Sequence, residues 1–164
     1  MDDDLLARLG PAPFRFTPTA PELVSPAFGL VFKSIALVLI AGSAIWLWLL
    51  WQKDVLGSGG TSGLFWFVAA LGLMATTTWH IYTSTTRLSA ERISQSWVWH
   101  KQMDVRELAY TKLIRVRHLE WLIAPRLYTR TLTGKFAVFY ASDPLMLENF
   151  ERLTQELAEF RRLS

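Results

Sequence analysis

The sequence contains no cysteine, and this absence excludes disulfide bonds, thiolate metal sites and cysteine nucleophiles. The common catalytic signatures are missing too, since there is no HExxH, GxSxG, Walker-type or GxGxxG motif. The three histidines, His80, His100 and His118, lack the spacing of metal ligands. We therefore expect no metal, no cofactor and no catalytic residue, and a protein that is not an enzyme.

Charged side chains are absent from two long stretches of the first half. None occurs in residues 34–52, and none in residues 55–86, whose apolar centre is 64–82. Each apolar centre is about 19 residues long, which as a helix measures about 28 Å and matches the roughly 30 Å hydrocarbon layer of a bilayer. A backbone in lipid must close its own hydrogen bonds. The sequence thus predicts two transmembrane helices, residues 30–52 and 63–82, in a hairpin.

Lysine and arginine near these helices predict the orientation of the hairpin. The linker carries one lysine balanced by one aspartate, whereas uncompensated basic residues lie beyond the other ends of the two helices. Such residues mark the cytoplasmic side. No cleavable signal peptide is visible, because the chain opens with MDDD where a signal peptide has basic residues. We expect a multi-pass inner-membrane protein with both termini in the cytoplasm.

Residues 1–29 form a proline-rich leader, since five of the seven prolines lie between residues 10 and 28. Proline fixes φ and removes a donor, so this leader is expected to be extended and not helical. Two interpretations remain open. The leader is either a poorly ordered tether, or a segment whose Phe14, Arg15 and Phe16 lie along the lipid headgroups.

Residues 83–164 have the composition of a soluble domain, with thirteen basic and nine acidic side chains and a net charge of +4. Short stretches rich in Thr, Val, Ile, Tyr and Trp predict strands, and Gly134 predicts a hairpin turn between the last two. A helix is predicted over 144–163, with Asp143 as its N-cap. Its apolar stripe consists of Leu147, Phe150, Leu153, Leu157 and Phe160.

Six or seven short strands followed by one amphipathic helix resemble the bacterial pleckstrin-homology-like (bPH) domain. The resemblance is carried by residues 83–93 (TSTTRLSAERI), 104–118 (DVRELAYTKLIRVRH), 134–142 (GKFAVFYAS) and the final helix. One difference is residues 94–96, Ser-Gln-Ser, where members often carry glycine. The resemblance implies an α+β fold. A two-helix transmembrane hairpin would precede a cytoplasmic PH-like domain, a bent antiparallel sheet or barrel capped by a C-terminal helix.

The preferred functional interpretation is a non-enzymatic, membrane-anchored module of a bacterial inner membrane. It would bind a protein partner or scaffold a complex, including a homo-oligomer, through its sheet edges and strand faces. Nucleic acid is not expected as a partner. Trp97 and Trp99 are predicted to share one strand face, where they would either line a partner groove or fill the interior of a small barrel.

Two other interpretations remain open. The first is a site for anionic lipid, in which each basic side chain contributes about 1 kcal/mol near the membrane surface. Its candidate residues are Lys112, Arg115, Arg117, Arg126 and Arg130, for which a solvated strand face is the simpler explanation. The second is a subunit of a larger membrane enzyme or transporter that uses His80. The simpler explanation for His80 is a position at the headgroup boundary.

The segment 119–123 (LEWLI) is apolar apart from one glutamate. Trp121 within it is either a core residue or a residue that dips into the membrane interface.

Overall fold

The structure is a computed structural model that describes residues 13–53, 61–116 and 118–163. In these ranges the chain forms three α-helices and two antiparallel sheets. The elements are β1 (Glu22–Pro26), α1 (Leu30–Gln52), α2 (Thr61–Thr83), β2 (Thr85–Ser89), β3 (Arg92–Ser96), β4 (His100–Asp104), a 3-10 turn (Val105–Glu107), β5 (Leu108–Ile114), β6 (Arg126–Thr131), β7 (Phe136–Tyr140) and α3 (Pro144–Leu163).

Helices α1 and α2 confirm the two helices predicted from the uncharged stretches. Leu30–Gln52 and Leu64–Thr83 are each long and apolar enough to cross a membrane, and neither candidate span is buried inside the protein. The helices contact each other along their length, for example where the rings of Trp46 and Phe67 meet at 6.2 Å between centroids. Their apolar side chains therefore face outwards, as side chains in lipid do.

The described part of the proline-rich leader belongs to the folded head. Strand β1 pairs antiparallel with β2, in the register Glu22↔Ser89 to Pro26↔Thr85. Phe14 and Phe16 are both buried in the same hydrophobic core as the helix α3 stripe. The predicted extended backbone is therefore present. For the described residues 13–29, neither the tether nor the headgroup-bound segment holds, because Phe14 and Phe16 are buried in the core. Residues 1–12 of the leader lie outside the described residues.

Pairing of β1 with β2 means that the helical pair is inserted between two neighbouring strands of one sheet. The strand pairing continues to the base of the helices, where the Ala27 amide donates to the Ser84 carbonyl oxygen at 3.1 Å. Both connections between helices and head are therefore short. We call the end of the head next to the helices the proximal end, and the end with the β2–β3 turn, residues 89–92, the distal end.

The head contains a four-stranded sheet in the order β1-β2-β3-β4 and a three-stranded sheet in the order β5-β6-β7. Residues of both sheets alternate between the core and the outside, so that Leu88, Ile93, Leu127 and Phe139 are fully buried between them. The sheets do not close into a barrel among the described residues. Strand β5 ends at Ile114, and residues 118–122 form a turn.

Helix α3 has the bounds predicted for it, and it covers the open side of the core. The Asp143 carboxylate accepts a hydrogen bond from the Met146 amide at 3.2 Å, which confirms Asp143 as the N-cap. The predicted stripe is also confirmed, because four of its residues are buried and Phe160 packs against the same core. Gly134, with φ of 85°, makes the predicted turn between β6 and β7.

Candidate functional site

A groove with a volume of about 710 Å³ lies between β4 and β7, which is enough space for a short segment of another chain. Its walls are the free edges of the two sheets, because β4 and β7 each end the strand order of their sheet. Three aromatic rings and three basic side chains are prominent in the lining, namely Trp99, Phe136, Tyr140, His100, Lys101 and Lys135.

Two buried polar side chains hold the sheets together at the proximal end of this groove. The Tyr140 amide donates to the Gln95 side-chain oxygen at 3.4 Å, and the Thr86 hydroxyl donates to the Tyr140 carbonyl oxygen. Deeper in the head, the Thr129 hydroxyl oxygen lies 2.9 Å from the Met103 sulfur. These contacts join the sheets without pairing β4 to β7, so the groove stays open between the two edges.

The electrostatic character of the groove is basic. Among the residues that the structure describes, none that lines the groove is acidic, whereas Lys101 and Lys135 lie on opposite walls. The Lys101 ammonium is 5.1 Å from the centre of the Trp97 ring, and partial burial lowers the pKa of Lys101 from its ordinary value. The groove therefore favours a negatively charged occupant.

Free strand edges add a second kind of recognition. An edge strand presents unpaired backbone N–H and C=O groups, which an extended segment of another chain can pair with. Both walls of the groove offer such an edge. Combined with the aromatic rings, this arrangement can bind an extended polypeptide that carries acidic and apolar side chains.

Three of the five predicted basic residues lie on the outer face of the three-stranded sheet. Lys112 on β5 is paired with Tyr128, and Arg126 and Arg130 flank Tyr128 on β6. Four residues of a strand span about 13 Å, so Arg126 and Arg130 do not converge on one headgroup. The three cations form a stripe among aromatic rings. The stripe adjoins the groove where Phe136 meets Tyr128 at 5.6 Å between ring centroids.

Arg115, in contrast, does not join this stripe. Arg115 binds two carboxylates, those of Glu120 at 2.9 Å and Glu151 at 2.6 Å. Its hydrogen bonds to Glu120 and Glu151 raise the pKa of Arg115 above its ordinary value. The Arg115 guanidinium is therefore occupied within the head, and its contact with lipid or a partner stays a prediction. Arg117 lies outside the described residues.

His80 lies in the last turn of α2, half-buried. The described residues contain no group of three or more His, Asp or Glu side chains that could hold a metal ion. The hydroxyls of Thr76 and Thr77 donate to the carbonyl oxygens of Gly72 and Leu73 one turn earlier, at 2.9 and 2.8 Å. These bonds satisfy the two threonines inside an apolar helix and direct their hydroxyls away from His80.

Sequence reasoning placed Trp97 and Trp99 on a strand, whereas both lie in the β3–β4 turn, residues 97–99. Trp97 packs edge-on against Phe28 at 6.4 Å between centroids, and Trp99 is 66% exposed at the groove. Neither fills a barrel interior, and the expectation of a partner groove is retained for Trp99 alone. Lys101 and Lys135 were missed, because their proximity depends on how the two sheets meet.

No protein-family model matches the chain, and no curated protein matches it either.

Proposed function

We propose that this chain is a membrane-anchored protein-binding module of a bacterial inner membrane, with a PH-like head on the cytoplasmic side. The α1–α2 hairpin anchors it, and the groove between β4 and β7 binds an extended, acidic segment of a partner protein. The role is non-enzymatic: the module recruits or holds its partner at the membrane.

The observation that carries this proposal is the combination of free backbone edges and unopposed positive charge in one groove. Backbone pairing along β4 or β7 supplies affinity that does not depend on the partner's sequence. Lys101 and Lys135 then select for acidic side chains, since no carboxylate of the described part of the chain lines the groove. Trp99 and Phe136 supply exposed aromatic surface for apolar side chains of the same segment.

Anchoring allows modest affinity to suffice. A head held at the membrane meets membrane-bound partners at a high effective concentration, so weak contacts still give occupancy. The short connections at Ala27 and Ser84 restrict how far the head can move from the hairpin. A partner with its acidic segment close to the membrane surface fits this arrangement.

Site-specific photocrosslinking in intact cells tests the proposal. A benzoylphenylalanine in place of Val138 lies in the groove, and one in place of Tyr110 lies on the far strand of the same sheet as a control. We expect a discrete protein adduct from position 138 that is weak or missing from position 110. Mass spectrometry should then identify an acidic, extended segment at the crosslink.

A matched pair of charge reversals tests the role of the groove lysines. Lys101→Glu with Lys135→Glu should remove the adduct, because both walls of the groove become acidic. The control double variant, Lys112→Glu with Arg130→Glu, makes the same change in charge on the outer stripe. It should leave the adduct unchanged. If both double variants stayed folded and lost the adduct equally, the proposal that the partner binds in the groove would be wrong. An adduct with a second copy of this chain would identify the chain as its own partner.

A further inference from the structure

The proximal end of the head carries a compact apolar loop beside the first turn of α1. This loop, residues 119–123, contains four large apolar side chains in five positions: Leu119, Trp121, Leu122 and Ile123. Trp121 is 51% exposed, and the other three are each 36 to 38% exposed. So much apolar surface in a single short loop is unusual for a surface that faces only water.

The position of the loop relative to the helices is defined by a shared cavity. Trp121 and Glu120 line this cavity together with Leu30, Val31 and Lys33 of α1. Trp121 is therefore level with the start of the first candidate span. In a bilayer that contains α1, this level is the interface between headgroups and hydrocarbon, where tryptophan side chains are enriched.

The one charged side chain of the loop, Glu120, is paired with a residue of the head. The Glu120 carboxylate binds the Arg115 guanidinium at 2.9 Å, and Arg115 in turn binds Glu151 of α3 at 2.6 Å. This chain of ion pairs ties the loop to the head. It also leaves the exposed surface of the loop dominated by apolar side chains.

The loop backbone closes hydrogen bonds internally, as a segment near lipid requires. The Leu119 amide donates to the Val116 carbonyl oxygen at 2.8 Å. The Leu122 and Ile123 amides both donate to the Leu119 carbonyl oxygen, at 2.9 and 2.6 Å. Three backbone donors are thereby satisfied without water.

A second apolar turn lies at the same end, next to the end of α2. The Ser84 hydroxyl, just after α2, donates to the Ser96 carbonyl oxygen at 2.6 Å, and residues 97–99 come directly after Ser96. Val98 at the tip of this turn is 49% exposed. The distal β2–β3 turn, in contrast, carries the exposed charged residues Glu91 and Arg92.

We infer that the loop 119–123, with Val98 as a second contact, inserts into the interfacial layer of the same leaflet from which the hairpin emerges. The ligand is the lipid surface itself, recognised through its apolar layer and not through anionic headgroups. This inference rests on the proposed membrane anchoring. Its consequence is a fixed orientation of the head, with the distal end directed away from the bilayer.

Single-cysteine labelling tests the inference, because the chain has no cysteine to remove. The variants are Leu122→Cys in the loop, Val98→Cys in the second turn, Glu91→Cys at the distal end and Leu39→Cys on α1. Each carries an environment-sensitive NBD label, and the full chain is reconstituted into phosphatidylcholine vesicles with or without lipids that carry a nitroxide near the top of the acyl chain.

We expect labels at positions 122 and 98 to be quenched several-fold more than the label at position 91, with little change when salt is raised. If position 39 is quenched but positions 122 and 98 behave like position 91, the inference is wrong and the anchoring stands. If the label at position 39 is not quenched, both the inference and the proposed membrane anchoring are wrong. One position in the loop and one in the second turn are used because one of the substitutions alone can disturb folding.

Discussion

Lys33 and Tyr82 hold the two helices together by a reciprocal pair of hydrogen bonds at the proximal end. The Lys33 ammonium donates to the Tyr82 carbonyl oxygen, and the Tyr82 hydroxyl donates to the Lys33 carbonyl oxygen, each at 3.2 Å. The ammonium also lies 5.6 Å from the centre of the Tyr82 ring. The start of α1 is thus joined to the end of α2 where both meet the head.

Substitution Lys33→Met should weaken this junction. It removes a charge-assisted hydrogen bond and a cation–π contact, together worth about 1–3 kcal/mol. We expect a lower thermal midpoint for the chain in detergent, measured by circular dichroism. Lys53→Met, at the opposite end of α1, is the control, and an equal decrease in that variant would show that loss of a lysine charge alone explains the effect.

Phe16→Ala should destabilise the head strongly, because Phe16 is 2% exposed in the core. Loss of a buried phenylalanine costs about 3–5 kcal/mol. Its exposed neighbour Arg15 is the matched control, for which Arg15→Ala should have little effect. Chemical denaturation or limited proteolysis of the full chain in detergent measures the difference. If the two variants were equally stable, residues 13–21 would be a tether and not part of the folded head.

Thr86→Val tests the junction between the two sheets. The substitution keeps the shape of a fully buried side chain but removes the donor to the Tyr140 carbonyl oxygen. We expect a loss of about 1–2 kcal/mol in the free energy of unfolding. The control is Ser94→Ala in the neighbouring strand, which is a smaller change at a half-buried site. If Thr86→Val leaves stability unchanged, the Thr86 contact does not hold the sheets together.

Arg115→Gln should lower stability by up to about 1 kcal/mol, since its ion pairs are partly exposed to solvent. The raised pKa of Arg115 means that its contribution is present below the ordinary arginine value and is lost only as pH rises through the higher folded value. The effect should therefore be equal at about pH 6 and about pH 8. Denaturant titrations at both values measure it, with Lys112→Gln as the control.

Local signals in the sequence were enough to predict all three helices. Helices α1 and α2 could be predicted without knowing which residues contact them, because the length and apolarity of the two uncharged stretches alone favour a helix there. Helix α3 is specified by Asp143, Pro144 and an apolar stripe of period 3.6. The Gly134 turn was predictable for the same reason, since its positive φ is a property of a single residue.

The site and the N-terminal segment were only partly predictable, because both depend on residues far apart in the sequence. Glu22 pairs with Ser89 across the whole helical hairpin, and nothing local in a proline-rich leader indicates that partner. The position of Arg115 among basic residues makes it a candidate for lipid or a partner, with a solvated strand face as the simpler explanation. Its carboxylate partner Glu151 is 36 residues away and becomes a neighbour only once α3 packs.

Composition and short-range periodicity are enough to specify the number of long apolar helices, the β-rich character of the chain after the second of them and the bounds of the final helix. The pairing of β1 with the β2 edge, and the separation of β4 and β7 as the walls of a groove, follow from the folded arrangement alone. Strand pairing is set by long-range contacts, and which edges stay free depends on how both sheets pack around one shared core.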